Sequence, residues 1–187
     1  MAAFYQYKKE SALEQAFDYF EAIIRSDINR TDNRLKNPEC VKRLMKSLAR
    51  NQGTQIPITL LKEDIISNES NNINEDSIAS YINALHKIYV IEDMPTWNPN
   101  LRSKTAIRTS NTRFFNNISI ATASLGLGLK DLLNDLNTFG FLFKTFCIRN
   151  LKVYAEKLNG EVYHYRDKMN LECDAVIHLR NGHYGLV

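Results

Sequence analysis

The stretch 162-VYHYRDKMNLECDAVIHLRNGHYGLV-187 decides how this chain is read. Three short apolar runs are separated by Asp167-Lys168-Met169-Asn170 and by Arg180-Asn181-Gly182-His183, the pattern of a three-stranded β-meander whose second turn is an Asn-Gly hairpin. Side chains alternate across a strand, so Cys173, Ala175, Ile177 and Leu179 are expected on one face of the middle strand. Glu172, Asp174, Val176 and His178 are expected on the other. Two carboxylates then share a face. Such a pair can hold Mg²⁺ together with water and substrate phosphate, and it is also the ordinary polar face of a half-exposed sheet. The chain stops at the apolar Val187 in mid-strand, which leads to the expectation of a missing continuation and of self-association through this C-terminal edge strand.

Upstream, the composition is that of a soluble globular chain: 187 residues, 44% hydrophobic and 24% charged, with a net charge of +3. That charge neither predicts nor excludes nucleic acid. Cys40, Cys147 and Cys173 are odd in number and widely spaced, and two of them fall on apolar stripes, so buried free thiols in a reducing compartment are expected. There is no run of eighteen apolar residues and no secretory leader in MAAFYQYKKE, so the default is cytoplasmic, with no membrane partner. Gly126-Leu127-Gly128 lacks the lysine and hydroxyl of a Walker loop, so no nucleotide cofactor is expected in this chain.

Helical spacing of Leu13, Phe17, Phe20 and Ile24 predicts a helix over residues 10–27, followed by a linker from Asn29 to Lys36. Asn37-Pro38 starts a second helix with Val41, Leu44, Met45 and Leu48 inside, and a shorter one covers about Ile58 to Ile66. Asn74 with Glu75 and Asp76 starts another, buried along Ile78, Tyr81, Ile82 and Leu85. Ile88-Tyr89-Val90-Ile91 and Thr112-Arg113-Phe114-Phe115 then read as a two-stranded ribbon. Three helices and a ribbon follow the plan of a winged helix, whose third helix is placed to enter a major groove. Its outer face offers Ser77, Ser80, Asn83, His86 and Lys87, with His86 a plain surface residue. Arg102, Lys104, Arg108 and Arg113 on the ribbon are the better phosphate candidates for duplex DNA, unless they are simply a solvated face. Beyond it, Leu129, Leu132, Leu133 and Leu136 predict one short helix and Leu142, Phe143, Phe146, Cys147 and Leu151 a second, with a break at Asn137-Thr138 and Gly160 closing the second. Lys144 falls on or beside the face that meets the sheet, where it needs a partner or a route to solvent.

The strings ARNQGTQI (49–56), SYINALHKIYVIEDMPTWNPNLRSKTAIRTS (80–110), DLLNDLNTFGFLF (131–143) and the C-terminal meander together resemble the C-terminal half of a bacterial and archaeal family of predicted AAA+ ATPases. There a winged helix precedes a domain of unknown function that looks like the PD-(D/E)xK nuclease fold. The resemblance implies an α+β chain: an N-terminal helix and linker (1–36), a winged-helix-like domain (37–118) and a truncated nuclease-like domain (119–187). In the family, the ATPase module that carries ATP lies N-terminal to these domains. A helix glutamate, a strand aspartate and a Glu-x-Lys on the next strand would converge on Mg²⁺. Residue by residue the strand aspartate is Asp174, with Glu172 two before it, while the helix glutamate is replaced by Lys144 and the Glu-x-Lys would follow Val187. Asn116-Asn117 stand where the family tends to have Asp-Pro.

A lysine in a cation site repels the cation, and Lys144 is expected to pair with Asp174 or Glu172 instead. The expected function is therefore a non-catalytic interaction or regulatory module partnered with an AAA+ ATPase module. The alternatives are a DNA-binding winged helix using Lys87 and the wing, and a metal-dependent nuclease using Glu172 and Asp174.

Overall fold

In a computed structural model the described residues are 9–31, 35–66, 73–99, 110–167, 169 and 171–187. Helix α1 (Lys9–Arg25) and a 3-10 turn (Asp27–Arg30) lead to α2 (Pro38–Arg50), α3 (Ile58–Ile65) and α4 (Glu75–Lys87). A hairpin of β1 (Ile91–Met94) and β2 (Thr112–Phe115) follows, then α5 (Ile118–Leu125), α6 (Leu129–Asn134) and the long α7 (Leu136–Lys157). The meander β3 (Gly160–Arg166), β4 (Glu172–Leu179), β5 (Tyr184–Leu186) ends the chain, an α+β fold with two antiparallel sheets. Among the described residues no helix is long and apolar enough to cross a membrane.

Local chemistry sets most of these boundaries. The Asn37 side chain accepts from the N–H groups of Glu39 and Cys40, with Pro38 at the first helical position. Asn74 accepts from Ser77 N, Asn117 accepts from Ser119 N, and Gly126 ends α5 in the left-handed region at φ +72°. In the meander, Gly182 takes φ +88° in the Asn-Gly turn.

Several boundaries differ from the sequence expectation. Strand β1 begins at Ile91 rather than Ile88, because Ile88 N still bonds Ala84 O and Tyr89 turns the chain at φ +56°. The break before α7 lies at Asp135, whose carboxylate accepts from Thr138 N and caps the helix, so Asn137-Thr138 and Gly140 are inside it. Asn159, not Gly160, takes the left-handed position after α7. The segment from Asn29 to Lys36 is no loose linker where it is described: Ile28 is wholly buried, Lys36 is buried, and Lys36 N bonds Asn29 Oδ1. Leu129, Leu132, Leu133 and Leu136 do not share one helix: Leu136 begins α7, and Leu129, Leu133 and Leu136 are 63–69% exposed.

The apolar residues gather into two cores. The first joins α1 to α5 through Phe20, Ile23, Leu44, Leu61, Ile78 and Ile120, and so runs across both residue 36 and residue 118. The second holds Ile148 and Ala155 of α7 against Val162 and Ala175 of the meander. The hairpin belongs to both. Ile91 and its cross-strand partner Phe115 face the first core, while Met94 and Phe114 face the second. Its charged residues divide the same way: Asp93 pairs with Arg113 at 2.8 Å and lies 3.6 Å from His86 of α4, whereas Glu92 takes Lys152 of α7 at 3.1 Å.

After β1, residues 95–97 run alongside the outer edge of β3. His164 N donates to Pro95 O at 3.0 Å, Trp97 N donates to His164 O at 2.7 Å, and the His164 ring Nε2 lies 2.9 Å from Thr96 Oγ1. This seam buries His164 to 6% exposure, and burial pushes its pKa below the ordinary value against weaker opposing pulls from the Ser110 backbone and Glu172.

Two measurements check this architecture. A Cβ on Gly160 would meet Leu179 Cδ2 at 2.5 Å and the His178 carbonyl oxygen at 2.9 Å, whereas one on Gly140 meets nothing. In chemical denaturation Gly160→Ala should lose about 1–3 kcal/mol, and Gly140→Ala, in the interior of α7, should gain about 0.5–1 kcal/mol. The second concerns His164. Because its folded pKa lies below 6.5, the unfolded chain takes up the proton first as pH falls. Stability is then full above the unfolded value and declines below it, so Tm should fall between pH 7.5 and 5.5, and His164→Gln should flatten that slope.

Candidate functional site

Helix α7 presents Lys144, Ile148, Leu151 and Ala155 on one face, the spacing of successive turns. Ile148, Leu151 and Ala155 pack on the meander, and Lys144, one turn earlier, reaches past the apolar contact to the sheet's end. There its Nζ donates to Asp174 Oδ1 in an ion pair. Of the two partners expected for Lys144, the structure selects Asp174.

The contact depends on an irregularity in β4. Pairing steps from Tyr163↔Val176 to Tyr165↔Cys173, so Asp174 and Ala175 together oppose His164, which is a β-bulge. Strict alternation would send Asp174 to the face opposite Ala175. The bulge shifts the phase, and Asp174 reaches the α7 side where Ala175 is buried. Cys173 moves the other way: its partner Tyr165 meets Trp97 at 6.0 Å, and Trp97 meets Tyr184, cross-strand to His178, at 4.9 Å. The expected grouping of Asp174 and Glu172 with Val176 and His178 is thus corrected, although the two carboxylates still go together. Glu172 lies cross-strand to Arg166 and is exposed.

The site therefore consists of an ammonium on a carboxylate, a second exposed carboxylate, and the buried His164, whose charge is opposed by Lys144 and favoured by Glu172. Among the described residues no group of three or more His, Cys, Asp or Glu is placed to hold a metal. The Asp174 side chain is 52% exposed, so the ion pair contributes little stability, about 0–1 kcal/mol. Its effect is on local charge, since a cation approaching Asp174 meets Lys144 first. The loop after α2 borders this site as well. A side chain at Gly53, which has φ +69°, would stand 3.0 Å from Phe114 Cε1 and 3.7 Å from Lys144 Cε.

His164, Thr96 and Trp97 were not singled out from the sequence. Their signal was the alternation of Val162 and His164, which places a histidine on the buried face of β3.

The nucleic-acid candidates are scattered. Lys87 is exposed at the end of α4. Arg113 is held by Asp93 through both its Nε and Nη2 and is one-fifth exposed, so its charge is largely spent inside the hairpin. Arg102, Lys104 and Arg108 lie outside the described residues. Ser77 donates its hydroxyl to the Asn74 cap, and Glu75 and Asp76 put acid on the first turn of α4. His86 is half-buried, not a plain surface residue, because it packs between α4 and the hairpin. Burial lowers its pKa, with nearby Asp93 pulling the other way.

A third feature is apolar. Leu129, Leu133, Leu136, Phe139 and Phe143 are exposed along α6 and the start of α7, with the Phe139 and Phe143 rings stacked at 6.3 Å. Beside them, a groove of about 770 Å³ between α1, α5 and α6 is lined by Leu13, Ala16, Ile118, Leu129 and Leu132.

No curated protein and no solved structure matches the chain. One family model does, over residues 2–131, which takes in α1 to α5 and the hairpin and stops inside α6. That match covers well over half of the sequence, and the chain belongs to the family described as Domain of unknown function (DUF8612).

Proposed function

We propose that the chain is a non-catalytic interaction or regulatory module, of the kind that follows the motor in AAA+ ATPase-like proteins. The observation that carries this reading is Lys144 on Asp174: a cation now occupies the place where a nuclease-like domain would use a helix glutamate to help bind metal. The exposed leucines and phenylalanines of α6 and α7 support the other half, because such a surface is suited to a protein partner. In this reading the AAA+ module is that partner, docking on Leu133 and Phe143.

A second reading, a DNA-binding winged helix, is favoured by the element order. Gly53 N donates to Arg113 O at 2.8 Å and Thr54 forms an isolated antiparallel bridge to Arg113, which lays the segment between α2 and α3 beside the hairpin. Counting that bridge, the order helix, bridge, helix, helix, strand, strand matches what a winged helix would need, and in this reading α4 would be the recognition helix. The acidic start of α4 and the commitment of Arg113 to Asp93 weigh against base reading.

Three outcomes are expected. In titration calorimetry the chain should show no Mg²⁺ or Mn²⁺ binding and should not nick plasmid DNA, while Lys144→Glu should create measurable Mn²⁺ binding. Metal-dependent cleavage that disappears in Asp174→Asn would overturn the non-catalytic reading. An AAA+ ATPase module from the same genome should copurify with the chain and be lost with Leu133→Glu/Phe143→Glu; a complex indifferent to those changes would remove the docking assignment. For the second reading, affinity for duplex DNA should fall steeply with salt, with a slope reduced by about one in Lys87→Ala; binding that is undetectable at low salt removes it.

A further inference from the structure

The backbone of β5 offers a self-complementary edge. Val187 and Ala175 exchange both hydrogen bonds, N to O at 2.9 Å and 3.2 Å, and Leu179 N bonds His183 O at 2.8 Å. Antiparallel pairing alternates hydrogen-bonded and non-hydrogen-bonded residues, so Gly185, opposite Ile177, is the remaining bonded position. Tyr184 and Leu186 therefore direct their own N–H and C=O groups away from β4. Among the described residues no strand pairs with that side of β5.

We infer that this edge pairs with the same edge of a second copy of the chain, antiparallel, about a two-fold axis through Gly185. Placing the axis there sets Tyr184 of each copy opposite Leu186 of the other and satisfies every outward N–H and C=O of both residues. Gly185 then faces its own image at the non-hydrogen-bonded position, where the backbones come closest. It carries no side chain, and the space where a Cβ would stand is open. No charged residue lies between Tyr184 and Val187, so the two edges do not repel, and neither lysine nor proline guards them. Tyr184, Leu186 and Val187 are each about three-fifths exposed, and the cross-pairing buries the first two against one another. Trp97, already 4.9 Å from Tyr184, borders the new contact. This inference stands apart from the functional reading above, since it uses neither the Lys144–Asp174 pair nor the apolar face of α6 and α7.

The full chain should show a concentration-dependent monomer–dimer equilibrium in sedimentation velocity. Tyr184→Lys/Leu186→Lys places like charges opposite one another across the axis and should raise the dissociation constant at least tenfold, with circular dichroism and Tm confirming that the exposed substitutions leave the fold intact. Tyr184→Lys/Leu186→Glu places opposite charges in the same two cross-pairs and should restore the dimer, now weakened by salt. A chain that stays monomeric up to millimolar concentration overturns the proposal. So does a dimer that the double lysine variant leaves unchanged, because association then uses another surface, and so does a charge-swapped variant that remains monomeric, because the axis then does not pass through Gly185.

Discussion

Everything in this fold is referred to a hairpin only four residues long on each side. A strand presents alternate residues to opposite faces, and here both faces are covered by protein. Ile91 and Phe115 complete the helical core, and Met94 and Phe114 complete the one beneath α7. The charged residues between them are assigned by the same period: Asp93 and Arg113 go with the first face, Glu92 and Lys152 with the second. A slip of one residue in either strand would send its apolar side chains to the wrong core and separate the charged ones from their partners. The two cores are thereby obliged to form on one shared register.

The candidate site follows from that arrangement. Helix α7 is fixed against the hairpin by Lys152 and against the meander by Ile148 and Ala155, which leaves Lys144 at one end of the contact. The bulge at His164 turns Asp174 toward it. The acid pair is thus presented together with an ammonium that offsets part of its charge. Elsewhere on the described surface, leucine and phenylalanine side chains of α6 and α7 are exposed.

How much of this was legible in the sequence depended on whether the determining interaction was local. Asn37-Pro38, Asn74 and Asn181-Gly182 announced two helix starts and a hairpin because caps and tight turns are decided by a few neighbouring residues. The buried stripe Ile78, Ile82, Leu85 was equally clear. The Leu129, Leu133, Leu136 stripe had the same spacing and the opposite outcome, because periodicity reports an apolar face without reporting whether anything covers it. The bulge was invisible for a related reason: its extra residue is defined by a partner strand, and alternation counted along β4 alone cannot contain it. His164 was overlooked because its burial comes from residues 95–97, almost seventy positions away in the chain.

Asp93 has a mechanical role beyond its charge. Its carboxylate holds Arg113 and faces His86 at the end of α4, and its carbonyl oxygen, 3.5 Å from Lys152 Nζ, touches α7. The tip of α4 and the middle of α7 are therefore braced against one peptide unit. The two helices thus share one contact residue in β1, so that a change at position 93 would disturb both of them at once.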